Sequence, residues 1–243
     1  MEEMLVIIPA HNEERNIEEL IKRTRLVVPR AQIVVADDFS TDATPACALA
    51  AGAQVIWNPR GSEYGDGFIS GLRYAINHRV YPDEPVVFMD AGLSHQPEDI
   101  WNLVYELADA DVVIGSRIVK GARYRQVWWR KIITRVGIRA LALATDSGTV
   151  DYSGFRAFSN SATELLYAEL VKTPRRASRV KSRRAHAFNL ELLSFLKRSE
   201  LRIKQVPITY IGTNSTLNPS RFLEAIWTWV RVWRYGGKRH GQI

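Results

Sequence analysis

The chain has 243 residues, 46% of them hydrophobic, with 33 Lys and Arg against 26 Asp and Glu. That length suits one large α/β domain or two small ones, and that apolar content excludes a disordered chain. No apolar run reaches the roughly 20 residues of a membrane span. Cys47 is the single cysteine, so no internal disulfide can form. Glu2 and Glu3 stand where a secretory leader would be basic, and a cytoplasmic location is expected. The charge is unevenly placed. Residues 1–111 carry 8 Lys/Arg and 19 Asp/Glu, a net −11, whereas residues 112–243 carry 25 and 7, a net +18. A basic second half of this kind fits an anionic partner: phosphates, a membrane surface or nucleic acid.

In chain order, "MLVIIPA" (4–10) predicts a first buried strand closed by Pro9. "NIEELIKRTRLVV" (16–28) has helical spacing at Ile17, Leu20, Ile21 and Leu26. "AQIVVADD" (31–38) predicts a strand ending in acids. "TDATPACALAAG" (41–52) predicts a helix with Thr41 or Asp42 as N-cap and Gly52 as stop. "AQVIW" (53–57) is a third strand, and "GDGFISGLRYAINH" (65–78) reads as a loop followed by a helix. "EPVVFMD" (84–90), "PEDIWNLVYELA" (97–108) and "ADVVIGSR" (110–117) continue as strand, helix, strand. Continuously apolar strands interleaved with helices predict a mostly parallel sheet covered on both faces.

Ligands bind such sheets at the carboxyl ends of the strands. Polar clusters fall there at Pro9–Glu13, Asp37–Asp42, Asp90 and Gly115–Arg117. Asp42 and Asp99 read instead as helix caps or turn formers. From 112 to 145 there is no acid, and "RQVWWRKIITRVGIRALALA" (125–144) aligns Trp129, Ile133, Val136, Ala140 and Leu143 beside Arg130, Lys131, Arg135 and Arg139. "KTPRRASRVKSRRAHAF" (172–188) is too polar to pack and predicts a mobile loop. "PSRFLEAIWTWVRVWRYGG" (219–237) predicts an amphipathic helix with Phe222, Ile226, Trp229 and Trp233 on one stripe. Trp with Arg and Lys on such helices fits a membrane interface; packing of each aromatic face on the domain core is the alternative.

Six stretches carry a family resemblance: "IIPAHNEERNI", "VVADDFSTDAT", "FMDAGLSHQPEDI", "DVVIGSR", "DYSGFRAF" and "AFNLELL" with "IKQVPITY". Together they resemble a family 2 glycosyltransferase, and within it the dolichol- or polyprenol-phosphate mannose synthase branch. The resemblance runs from about residue 4 to 217. It implies a GT-A (Rossmann-like) α/β domain over 1–217, followed by a basic, Trp-rich amphipathic tail over 218–243. It implies a nucleotide-sugar donor (GDP-mannose or UDP-glucose), inversion at the anomeric carbon, and a lipid-phosphate acceptor reached from the cytoplasmic face of a membrane. These motifs explain the basic second half better than nucleic acid does, and no nucleic-acid partner is expected.

Site roles carry over from that resemblance. Pro9, Ala10 and Glu13 correspond to the first loop, which holds the nucleoside. Asp37 and Asp38 correspond to acids on the base and ribose, as acceptors of N–H and O–H groups. Asp90 corresponds to the first acid of an Asp-x-Asp motif holding Mg²⁺ or Mn²⁺ against the diphosphate; hard oxygen ligands suit both ions. Arg117, Arg130 and Arg135 match basic positions near the phosphates. Arg156 follows Ser153 and Gly154 in the "SGFR" signature after Asp151, and Glu191 stands where the family often carries an acid. An acceptor phosphate is already anionic, so no general base is needed. Charge stabilisation and positioning would carry catalysis, with Asp90, Arg117 and Glu191 as the candidate catalytic side chains.

The sequence departs from the family in three places. Asp-x-Asp has become Asp90-Ala91-Gly92, so one carboxylate is missing; either Asp90 holds the ion more weakly, or a cation such as Arg117 neutralises the diphosphate instead. The stretch after "VPITY" has Ile211 and Thr216 where basic residues are usual. Asp66, between two glycines, would face the donor. His95 is a candidate neighbour of the ion, or a hydrogen-bonded loop histidine. Two other functions remain open: transfer to a glycan or small-molecule hydroxyl, which would need a protein base, and a nucleotide-sugar-binding protein impaired in catalysis.

Overall fold

The computed structural model describes residues 3–58, 63–78, 83–126, 151–173 and 185–212, with Ser178, Val180 and Ser182. Arg130, Arg135 and the helix expected at 219–237 lie outside the described residues.

Four parallel strands, β1 (Leu5–Ala10), β2 (Gln32–Asp37), β3 (Gln54–Trp57) and β4 (Val86–Phe88), alternate with helices α1 (Ile17–Val27), α2 (Thr44–Ala50) and α3 (Tyr64–His78). After β4 come a 3₁₀ turn (Pro97–Asp99), α4 (Ile100–Tyr105), β5 (Val112–Ser116), β6 (Arg123–Arg125), β7 (Arg156–Phe158), α5 (Asn160–Tyr167), a π-helical turn (Ala168–Lys172), α6 (Ala185–Arg198), β8 (Ile203–Pro207) and β9 (Thr209–Ile211). The main sheet has the order β3-β2-β1-β4-β7-β5-β8, and β6 pairs with β9 in a small second sheet. No helix among the described residues is long and apolar enough to cross a membrane.

The unbroken apolar runs have a direct cause. Along β1, Val6 and Ile8 enter a core with α1 and α4 through Ile17, Leu20 and Leu103. Leu5 and Ile7 enter the opposite core with α3, α5 and α6 through Leu72, Leu166 and Leu192. Side chains alternate across a strand, so a strand covered on both faces must be apolar at every position. Phe68 of α3 stacks on Phe88 of β4 with ring centroids 4.0 Å apart.

Three expectations are corrected. The loop predicted at the start of 65–78 is helix from Tyr64 onward. Its glycines signal close packing: a Cβ at Gly71 would overlap Ile7 Cγ2 and lie 3.3 Å from Phe88 Cε1. The α2 cap is displaced, because the helix starts at Thr44 and Asp42 accepts from Thr44 N at 2.9 Å from outside it. The polar 172–188 segment is anchored at its described points: Ser178 and Val180 are buried, and Ser182 N donates to Glu191 Oε2 at 2.7 Å.

Two strands were not foreseen, β6 and β7; β6 only pairs with β9 in the small sheet, whereas β7 shapes the site. β7 enters antiparallel between β4 and β5, with Phe88 and Ile114 both in register with Arg156. Its reversed direction brings the residues that precede it, 151–155, to the carboxyl ends of β4 and β5.

Gly71→Ala tests the α3 approach. Ala gains about 1 kcal/mol in helix propensity, but overpacking against a β1 side chain costs about 1–3 kcal/mol. The expected outcome is a net loss of stability in urea unfolding with the far-UV circular dichroism retained.

Candidate active site

The β1–α1 and β2–α2 loops are tied to each other. Asp38 N donates to Ala10 O at 2.8 Å, Asn12 N to Ser40 Oγ at 3.0 Å, and Thr41 N to Asn12 Oδ1 at 2.8 Å. Asn12, Phe39 and Leu93 take left-handed backbone conformations, each with φ of 56°. All three follow strands of the same sheet edge, and such strain concentrates at functional sites. Pro9 and Ala10 are buried at the end of β1, with Glu13 partly exposed beyond them. Asp37 is fully buried; its Oδ2 accepts from Ser40 N at 3.1 Å, and its Oδ1 has no hydrogen-bond partner among the described residues. Asp38 accepts from Asn58 Nδ2 at 2.8 Å. Burial pushes the Asp38 carboxyl up to about 6; the Asn58 bond opposes this, and the nearby Asp66 carboxylate adds to it. Asp66, in the first turn of α3, therefore joins the Asp37–Asp38 cluster, on the side where the donor is expected.

Asp90 follows β4, and its side chain is 40% exposed. Tyr64 Oη donates to Asp90 Oδ1 at 3.3 Å. Burial first, and the Asp90 charge second, push the Tyr64 hydroxyl well above its ordinary value, so it stays a donor. His95 is buried with Nδ1 3.5 Å from Asp90 Oδ2, while its Nε2 lies 3.1 Å from Ser153 Oγ. Burial lowers the His95 pKa although Asp90 pulls the other way, so the imidazole is neutral near pH 7. Its ring lies 5.3 Å from Phe155. Gly154 is required here by contact: a Cβ would collide with Asp90 Oδ1 and lie 2.8 Å from Tyr64 Oη. Arg156 is wholly buried beneath this group; Nη2 donates to Tyr152 O at 3.3 Å, and Nε and Nη1 have no hydrogen-bond partner among the described residues. Burial lowers its pKa against the pull of Tyr64 and Asp90.

Arg117, just past β5, is committed to Asp151. Its backbone N donates to Asp151 Oδ2 at 2.8 Å, Nε to Oδ2 at 2.9 Å and Nη2 to Oδ1 at 2.5 Å. Burial opposes the Arg117 charge, yet Asp151 outweighs it and raises the pKa. In turn Asp151 is held below the usual carboxylate range by Arg117 despite burial. The guanidinium also lies 5.5 Å from the Tyr152 ring and 5.1 Å from the Tyr210 ring. Glu191, on α6, is buried and accepts from Ser182 N, as noted above.

Asp90, Ser153 and Arg156 thus converge on one cluster, Arg117 sits in a buried ion pair beside it, and Asp37, Asp38 and Asp66 form a second acidic group at the same sheet edge. Tyr64, Asn58, Tyr152 and Tyr210 were missed. No periodic signal marks them, since each acts by meeting residues remote in sequence. The Arg117 pairing had a readable hint in Asp151 of the "DYSGFR" signature.

The model of the family described as "Glycosyl transferase family 2" matches residues 5–166. The chain belongs to glycosyl transferase family 2. It is 29% identical over 217 residues to an undecaprenyl-phosphate mannosyltransferase of Micrococcus luteus, spanning 86% of this chain and 83% of that protein. It is 28% identical over 246 residues to a polyprenol monophosphomannose synthase of Mycolicibacterium smegmatis, spanning 96% and 88%. It is 34% identical to a dolichol-phosphate mannosyltransferase of Pyrococcus furiosus over 141 residues, 55% of this chain and 38% of that one. Among solved structures, glucosyl-3-phosphoglycerate synthase of Mycobacterium tuberculosis in complex with Mn²⁺, UDP-glucose and phosphoglyceric acid superposes with a TM-score of 0.69. It covers 95% of this chain and 79% of that one at 22% identity. The fold is therefore the GT-A glycosyltransferase fold, and the protein is a glycosyltransferase.

Two consequences follow for this glycosyltransferase. Asp151→Asn leaves the Arg117 charge buried without its partner and should destabilise the fold by about 3–5 kcal/mol, read as a lower urea midpoint. Asp38 binds a proton in the folded state between its unfolded value near 4 and its folded value of about 6. Stability should therefore fall as pH rises through that window. Relative to Asp38→Asn, the wild-type midpoint should drop between pH 4 and 6 and level off above it; a difference that is flat with pH contradicts the assignment.

Proposed function

We propose that the protein transfers a hexose, mannose or glucose, from a nucleotide sugar (GDP-mannose or UDP-glucose) to a polyprenyl phosphate at the cytoplasmic face of a membrane. The two bacterial relatives, each matched over more than four fifths of its length, support this acceptor by their names. The observation that carries the reading is the state of Glu191. It is buried and bound to a backbone N–H, which does not suit a base that must reach an acceptor hydroxyl. A phosphate acceptor needs no such base.

In this reading an anionic oxygen of the acceptor phosphate attacks the anomeric carbon. The bond from that carbon to the diphosphate breaks, and the nucleoside diphosphate leaves with the electron pair, inverting the anomeric centre. Asp37, Asp38 and Asp66 line the nucleoside side, where carboxylates accept from base N–H and ribose hydroxyls. Pro9 and Ala10 form its floor. Ser153 and Arg156 support the Asp90 cluster, and Arg130 and Arg135 supply acceptor-phosphate contacts from outside the described residues.

Among the described residues no group of three His, Cys, Asp or Glu side chains converges on a metal position. The half-exposed Asp90 carboxylate nevertheless fits a hard divalent ion that takes its remaining ligands from phosphates and water. Bound there, Mg²⁺ or Mn²⁺ would offset the charge developing on the diphosphate. Tyr64 fixes the direction of that carboxylate by its hydrogen bond, with His95 Nδ1 3.5 Å from the other oxygen.

The test is a donor screen in detergent with a short polyprenyl phosphate, with and without Mg²⁺ or Mn²⁺. Expected is a glycosyl-phosphate lipid product from one of the two donors, and turnover that survives Glu191→Gln. No lipid product with any common donor overturns the reading. Transfer only to a hydroxyl acceptor, abolished by Glu191→Gln, supports the alternative acceptor.

A further inference from the structure

Gly92 removes the second carboxylate expected two residues after Asp90, yet the space beside it is not apolar. A Cβ placed on Gly92 would lie 3.4 Å from Glu13 Oε1, 3.8 Å from Oε2 and 4.0 Å from Cδ. The carboxylate of Glu13 therefore borders the space a side chain at residue 92 would enter. The reason is topological: β1 and β4 are parallel neighbours, so the loops leaving their carboxyl ends lie side by side.

Glu13 is also held in place. Its backbone N donates to Thr44 Oγ1 at 2.7 Å, and its carbonyl accepts from Asn16 N and Ile17 N, both at 2.9 Å. Asn16 Nδ2 donates to Oε2 at 2.7 Å. Oε1, the oxygen nearer Gly92, accepts no hydrogen bond among the described residues. Across the gap, Asp90 is braced from its buried side. Tyr64 donates to Oδ1, and His95, 2% exposed, turns an Nδ1 with no hydrogen-bond partner among the described residues towards Oδ2 at 3.5 Å. Asp90 and Glu13 thus stand on neighbouring loops that meet at Gly92, each with an oxygen that accepts no hydrogen bond among the described residues.

We propose that Glu13 supplies the second carboxylate for the divalent ion, from the neighbouring β1–α1 loop of the same chain, in place of the acid that residue 92 lacks. This rests on reading Asp90 as an ion-holding acid, and it replaces the nucleoside role that the family resemblance implies for Glu13. One or two protein carboxylates completed by phosphate oxygens and water is the ligand set Mg²⁺ commonly takes. Gly92 and Glu13 are then complementary. An acid at 92 would press a third carboxylate against Glu13, and like charges at contact distance disfavour one another.

The test reads ion binding, with neither sugar donor nor acceptor present. Mn²⁺ is titrated into the full-length protein, alone and with GDP or UDP, and free Mn²⁺ is followed by electron paramagnetic resonance. Glu13→Gln should weaken Mn²⁺ binding by roughly tenfold or more, a loss that even partners outside a metal's direct ligands produce. Adding Gly92→Asp to Glu13→Gln should recover most of it, because the acid returns from the other loop. Binding of GDP or UDP in EDTA should be the same in wild type and Glu13→Gln. The proposal is overturned if wild type binds no Mn²⁺ under any of these conditions, or if Glu13→Gln binds it as wild type does. It is also overturned if the double variant stays as weak as the single one, or if Glu13→Gln loses nucleotide in EDTA. Failure to glycosylate a polyprenyl phosphate would leave every one of these readings intact, so the two proposals fail separately.

Discussion

The antiparallel ladder of β7 is the constraint on which the site depends. Four strands of a doubly wound sheet would deliver only their own exit loops to the carboxyl edge. β7 runs against β4 and β5, with Arg156 in register with both Phe88 and Ile114, so the chain before it arrives at that edge from the opposite direction. The consequence is that Asp151 meets Arg117, Ser153 meets His95, and Gly154 lies against Asp90. Gly115 N donating to Phe155 O at 2.9 Å extends the ladder by one step and fixes the register where the site begins.

Electrostatics divides the edge into two regions with different chemistry. On the β1–β2 side, Asp37, Asp38 and Asp66 crowd together, and burial with like charge raises one of them to about 6. Such acceptors suit a neutral, hydroxyl-rich ligand with N–H donors. On the β4–β5 side, acids and bases are matched: Arg117 with Asp151, and Asp90 between Tyr64, His95 and the buried Arg156. Pairing keeps this region from being simply cationic. What this region presents to solvent is the Asp90 carboxylate, held by Tyr64.

Much of the scaffold was legible in the sequence because burial on both faces leaves an unbroken apolar run, as in β1, β2, β4 and β5; the edge strand β3 is exposed at Gln54 and Trp57 and showed only a short apolar stretch. The edge acids were legible for the related reason that polar residues directly after such runs must lie at strand ends. Gly67 misled, since a glycine that lets a helix approach a sheet, here within 3.4 Å of Pro9 Cβ for an added Cβ, looks the same in sequence as one that opens a loop. The 172–188 segment misled because its charges hide two small anchors: Ser178, which donates to Glu169 Oε1 at 3.0 Å, and Val180, which joins the core that α3, α5 and α6 share. β7 is only three residues long, too short to show a period.

By itself the sequence determined the α/β class, the first five strands in chain order, the acids at their ends and the family. Each of these is set by local pattern: apolar runs, turn residues and short motifs. Only the tertiary structure decided which of those residues meet. It turned Arg117 from a free cation into half of an ion pair, made Tyr64 and His95 the braces of Asp90, and set Glu13 beside Gly92 across two loops 79 positions apart in the chain. Contacts of that kind depend on strand order and direction in the sheet, which are fixed by cooperative packing of the whole domain and leave no mark on any one stretch of sequence.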